Sequence, residues 1–143
     1  MSAERSEIPT WECLNLLGAA GVGRVCVIDH GVPLAFPINF RLTGDDGASR
    51  IVMRSGASSI VGRYEGPASL EADDIDVGQR VAWSVIARGT LRRASGASGL
   101  PDPEPWLDGK HEWLQLDVSA VSGRRFVGTP GTDGFTVEWG LAR

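Results

Sequence analysis

Pro33-Leu34-Ala35-Phe36-Pro37-Ile38-Asn39-Phe40-Arg41-Leu42 is the stretch that decides the kind of fold this chain takes. Leu34, Phe36, Ile38, Phe40 and Leu42 recur at every second position, so an extended backbone puts them all on one face, with Ala35, Pro37, Asn39 and Arg41 on the other. The first face is core. The second is small and polar, and Pro37 removes a ladder donor from it, which suits a sheet edge or a bulge. Small side chains beside Asn39 also leave room for a flat ligand to lie along the strand. A strand filled on one side only belongs to an antiparallel sheet rather than to a doubly covered parallel one.

Upstream, Arg24–Asp29 reads as a strand and His30-Gly31 as the tight turn joining it to the first stretch. Before that, Cys13, Leu16, Leu17 and Ala20 follow helical spacing over Thr10–Ala20, with Thr10 as the expected N-cap and Gly21 as the stop. Gly21-Val22-Gly23-Arg24 has the glycines of a nucleotide loop. It lacks the context, because a dinucleotide fingerprint needs a strand before it and a helix after it, and here the order is reversed. Residues 1–9 are expected to be a flexible N-terminus.

Downstream, Gly44-Asp45-Asp46-Gly47 is a turn into Ile51-Val52-Met53-Arg54, a strand that ends on a cation. Ser55, Gly56, Ser58 and Ser59 follow, and Ile60-Val61 begins a short helix. A guanidinium, hydroxyls and helix-start amides brought together in this way suit a phosphate monoester. A serine-capped surface loop with an incidental arginine is the plainer reading of the same residues.

Ala68–Ala72 is a further strand, and Asp73-Asp74-Ile75-Asp76 a charged turn that lacks the glycine and the terminal glutamate of a calcium loop. Arg80–Leu91 sets Trp83, Val85 and Ala87 against Ser84, Ile86 and Arg88; its length and apolarity predict a central strand. Ser95–Gly109, broken by Pro101, Pro103 and Pro105, is a surface crossing. Glu112–Val118 alternates again, and a last strand is expected near Arg124–Val127. The glycine-rich tail, 128–143, carries Phe135 and Trp139, aromatics that call for docking on the body or on a second subunit.

These elements predict a single β-dominated α+β domain over 1–143, an antiparallel barrel of six to seven strands with one N-terminal helix and short connecting helices. A formal charge of −4 leaves no footprint for nucleic acid. Nowhere do ~18 apolar residues run together, and no signal-like apolar run opens the chain, so a cytoplasmic protein without membrane contact is expected. Cys13 and Cys26 sit among apolar neighbours and are expected to be buried free thiols of a reducing compartment. His30 and His111 have neither a serine elbow nor a metal-ligand spacing beside them, so no catalytic or metal-binding set emerges. Any redox chemistry would be a cofactor's.

Several short motifs, in order, resemble one family. Cys13-Leu14-Asn15-Leu16-Leu17, Val22-Gly23-Arg24-Val25, Pro37-Ile38-Asn39-Phe40, Arg54-Ser55, Trp83-Ser84-Val85 and Gly123-Arg124-Arg125-Phe126 are similar to the pyridoxamine 5'-phosphate oxidase-like FMN-binding split barrels, from about Trp11 to Val127. The resemblance implies a homodimer with FMN in clefts at the subunit interface. Pro37, Ile38 and Asn39 would lie along the isoalloxazine ring; Arg54, Ser55, Gly56, Ser58 and Ser59 would hold the phosphate; Trp83 and Ser84 would form part of the wall. Relatives carry a lysine after the second small residue of this seat, where this chain has Ile60. Arg63, Arg124 or Arg125 would have to replace that charge. The implied activity is an FMN-dependent oxidoreductase moving a hydride from a reduced pyridine nucleotide to a small oxidised substrate or oxygen. Its alternatives are a non-catalytic flavin- or ligand-binding dimeric module, or a member using a deazaflavin coenzyme or haem instead of FMN.

Overall fold

The computed structural model describes residues 2–45, 48–95 and 99–129. Among them are seven strands and one α-helix: β1 (Glu4–Ile8), α1 (Thr10–Ala20), β2 (Val22–Asp29), β3 (Val32–Asp45), β4 (Ala48–Ser55), β5 (Gly66–Asp76), β6 (Val81–Arg93) and β7 (Glu112–Val127), with a 3-10 turn at Val61–Arg63. All pairings are antiparallel, in the order β1-β7-β4-β3-β2-β5-β6, and β6 pairs back onto β7. Six strands therefore close a ring, and β1 adds to the second half of β7. This is the split barrel that the alternating strands and the family resemblance predicted.

The split lies in β3. Its first half, Val32–Asn39, pairs with β2, and its second half, Phe40–Asp45, pairs with β4. From 33 to 39 the flank of β3 away from β2 has no strand beside it among the described residues, so the donor that Pro37 lacks removes no ladder bond there. His30 and Gly31, with φ of 49° and 77°, make the two-residue turn that lets β2 and β3 pair in register.

Inward-facing residues fill the ring. Val25, Phe40, Ile51, Met53, Leu70, Val85, Ala87, Leu91, Leu114 and Leu116 are fully buried, and Phe36, Ile38, Leu42 and Trp83 pack against them. Helix α1 seals one end with Cys13 and Leu17, whose neighbours Leu16 and Ala20 complete the apolar face. It can lie close on β7 because Gly123 has no side chain; a Cβ there would stand 2.7 Å from the Cys13 sulfur. Burial pushes the Cys13 thiol above its ordinary pKa, as expected of an inert core thiol. No helix among the described residues is long and apolar enough to cross a membrane.

Five sequence expectations are corrected. Glu4–Ile8, expected to be flexible, is a strand, because pairing with Gly123–Val127 satisfies its backbone. Thr10 is the first residue of the helix rather than its cap; Pro9 holds the extended cap conformation, and its carbonyl accepts from the Glu12 and Cys13 N–H groups at 3.0 Å. Asp73–Asp76 continues β5 through its pairing with β6, with Asp73 neutralised by Arg24 at 2.8 Å. Glu112–Val118 and Arg124–Val127 are parts of the single strand β7. Cys26, expected to be buried like Cys13, is only partly buried. The expectation that Arg80–Leu91 is central holds, since β6 pairs with β5 on one side and β7 on the other. Residues 46–47 of the turn before β4, and Phe135 and Trp139 in the tail, lie outside the described residues.

Candidate functional site

A cleft of about 350 Å³ opens where the split leaves β3 without a neighbour. Pro37, Ile38 and Asn39 form its floor, Arg54 and Ser55 at the end of β4 close one end, Ser59 to Val61 form the next wall, and Pro105, Trp106, Leu107 and Lys110 come over from the crossing segment. Most of this lining is apolar. Polar groups gather around Arg54, which makes the cleft chemically two-ended.

Arg54 is held from several sides. It stands opposite Trp113 in the β4–β7 register, with its guanidinium carbon 5.1 Å from the centre of the indole ring. Its Nε donates to the Lys110 carbonyl at 2.8 Å, and Nη1 lies 3.0 and 3.2 Å from the two carboxylate oxygens of Asp102. Nη2 makes no hydrogen bond to the described residues. The backbone N–H of Glu104 and the Arg54 guanidinium together hold the Asp102 carboxyl below the usual carboxylate range.

The serine turn is organised differently from expectation. Ser59 Oγ donates to the Gly56 carbonyl at 2.8 Å and accepts from the Gly62 N–H at 2.9 Å. Its one hydrogen is thereby spent, so in the 2.8 Å contact between the hydroxyls Ser55 is the donor. Ser55 and Ser59 thus staple the turn rather than offer protons to a ligand. Only a single 3-10 turn follows, too short for a helix dipole. Gly62 permits this tight closure, since a Cβ there would fall 1.9 Å from the Gly56 carbonyl oxygen.

Pro37, Ile38, Asn39, Arg54, Ser55 and Ser59 are thus brought together as the sequence suggested. Gly56 serves the turn, and Ser58 is exposed. Arg63 is exposed, and its Nε returns to the Ser59 carbonyl at 3.4 Å rather than entering the cleft. Arg125 is paired with Glu12 at 2.8 Å, and Arg124 lines another hollow together with Ser84. Neither replaces the missing lysine. Trp83 lines a neighbouring cavity of about 480 Å³ with Leu16, Arg24 and Asp73, divided from the first by Val22 and Pro37, which line both. Ser84 donates to Glu71 at 3.0 Å beside that cavity, where burial and the hydrogen bond with Asp73 push the Glu71 carboxyl up.

The family model described as pyridoxamine 5'-phosphate oxidase matches residues 9–125, which span α1 and nearly the whole ring. The chain belongs to the pyridoxamine 5'-phosphate oxidase family. No curated protein sequence matches it. Among solved structures, this family member is similar to an FAD-binding protein from Mycobacterium smegmatis, with 25% identity and a TM-score of 0.66 over 86% of this chain and 99% of the other. A protein of unknown function from Corynebacterium diphtheriae is also 25% identical, with a TM-score of 0.70 over 86% and 98%. An FAD- and haem-binding protein from Mycobacterium smegmatis shares the fold at 17% identity, with a TM-score of 0.62 over 89% and 75%.

Asp102, Trp106 and Lys110 are the residues of this pyridoxamine 5'-phosphate oxidase family member that sequence reasoning missed. All three lie in or just after the proline-rich crossing, whose path is set by long-range contacts. The signal available was charge: Asp102, Glu104 and Lys110 punctuate a segment containing Trp106 and Leu107, an unusual mixture for a plain connection.

Proposed function

We propose that this chain binds a flavin nucleotide in the cleft beside β3 and acts as a flavin-dependent oxidoreductase, with FMN as the nucleotide. The observation carrying this reading is the two-ended lining: Pro37, Ile38, Val61 and Trp106 suit a flat, largely apolar ring, and Arg54 and Lys110 suit an anionic tail. Lys110, with no ion pair among the described residues, takes the part of the lysine absent after Ser59. Asn39 Oδ1 accepts from the Trp106 N–H at 3.2 Å, which leaves its NH2 group to donate to ring carbonyls. A bound flavin would supply reversible hydride acceptance; the protein's residues bind it, orient it and limit water at the ring. A reduced pyridine nucleotide is the proposed hydride donor.

Haem suits the cleft less well, since its described lining contains no His, Cys, Met or Tyr to serve as an axial ligand. Titration of the purified protein with FMN, FAD, riboflavin and haem, followed by visible absorbance and flavin fluorescence, tests the reading. FMN should bind more tightly than riboflavin. Haem binding with no response to any flavin would overturn the assignment.

We further propose a homodimer. Trp106 and Leu107 at the cleft are 81% and 71% exposed in the single chain, and Val22 beside them is 41% exposed. So much apolar surface around one cleft points to a covering subunit. Light scattering at micromolar concentration should give twice the chain mass, and a monomer that still binds flavin would refute the covering role.

A further inference from the structure

The crossing segment grips the very side chains that the proposed ligand needs. Asp102 holds Arg54, Glu104 reaches Arg41 at 3.4 Å, the Trp106 N–H sits on Asn39, and the Lys110 carbonyl takes the Arg54 Nε. The position of Asp102 is built rather than incidental. Pro101 and Pro103 flank it and restrict its backbone, and its Oδ1 also accepts the Glu104 N–H at 2.9 Å, closing a local turn. Both carboxylate oxygens then face one guanidinium nitrogen, as two oxygens of a phosphate would.

We infer that Asp102 is a specificity-determining residue, an internal stand-in for the ligand's phosphate on Arg54. This rests on the flavin reading above and deepens it. A phosphate-bearing flavin binds by exchange: its phosphate takes over Arg54 Nη1, and the Asp102 carboxylate, whose side chain is already half exposed, turns to water. Riboflavin, with no phosphate, leaves the pair in place. The bonds from Arg54 Nε to the Lys110 carbonyl and from the Trp106 backbone N–H to Asn39 involve other parts of the same segment, so the wall over the cleft stays closed while one carboxylate moves. Asp102 thereby lowers the preference for FMN over riboflavin below what an unpaired guanidinium would give.

Asp102→Asn tests this, because asparagine keeps an Oδ1 for the Glu104 N–H and removes only the charge. FMN and riboflavin affinities are measured by fluorescence quenching for both proteins, with thermal midpoints as a check on folding. FMN should bind about two- to five-fold more tightly to the variant, the size of an exposed ion pair's contribution, with riboflavin unchanged. Asp102→Ser, also neutral but shorter, should give the same gain. Unchanged or weaker FMN binding in both variants, or an equal gain for riboflavin, overturns the role of Asp102 while leaving the flavin site standing. Absence of any flavin binding to the unaltered protein overturns both.

Discussion

Arg54→Ala is expected to weaken FMN by roughly ten- to a hundred-fold and to leave riboflavin nearly unchanged, since charge-assisted hydrogen bonds contribute ~1.5–3 kcal/mol. The lower end of that range is favoured because phosphate must first displace Asp102 from the guanidinium. The alanine also removes the contact with the Trp113 ring and the bond to the Lys110 carbonyl, so the strap over the cleft is loosened at one point. Riboflavin is therefore the necessary control. It presents the same ring to Pro37 and Ile38 without a phosphate, and a parallel loss for both ligands would show that the mutation acts on the wall rather than on the anion. Unequal losses, in a protein whose thermal midpoint has barely moved, would place the phosphate at Arg54.

The ring was legible in the sequence wherever one strand face was filled. Phe36 to Leu42 and Trp83 to Ala87 alternate because one side of each meets the core, and the structure sets them that way round. β1 was not legible, since Glu4-Arg5-Ser6-Glu7 has no apolar face; only pairing with β7 makes it a strand, and pairing leaves no trace in a local pattern. β7 looked like two strands for a related reason. Ser119 to Gly123 interrupts the apolar alternation, yet the ladder with β6 runs on past it, with a register shift near Arg88 and Gly89. In the site, Arg54 and the β3 floor could be read because strand ends and small faces announce themselves. The partners of Arg54 could not, because Asp102 stands 48 residues away and reaches it through a segment without periodicity.

Phe40→Ala should have the largest effect on stability. Phe40 stands where β3 passes from one partner to the other: Asn39 is its last residue paired with β2, and Phe40 the first paired with β4. Its side chain is fully buried, its N–H donates to the Gly21 carbonyl at 3.0 Å, and its ring packs where a side chain on Gly23 would otherwise sit. Truncation leaves a cavity bounded by hydrogen-bonded strands that cannot readily collapse, at a cost of about 3–5 kcal/mol. Against a total stability of roughly 5–15 kcal/mol, that is a fall in melting temperature on the order of 10 °C. Urea unfolding should show the same loss as a lower midpoint with an unaltered slope. A loss below about 1 kcal/mol would mean that neighbouring side chains refill the space and that the hand-over point is not a keystone of the core.

The pairing of β1 with β7 also shapes how the chain is made. Glu4–Ile8 is synthesised before its partner Gly123–Val127, with most of the described residues lying between them. At roughly 5–20 residues per second, some 6–24 seconds separate the two. Through that interval the early segment lacks its strand partner, and its backbone is open to any exposed edge nearby. Its charges suit the wait: Glu4, Arg5 and Glu7 make a poor template for stray strand addition and a soluble one for later capture. Contacts of such high sequence separation form slowly, so β1 docks on β7 late and the nascent chain must stay soluble with that strand unattached.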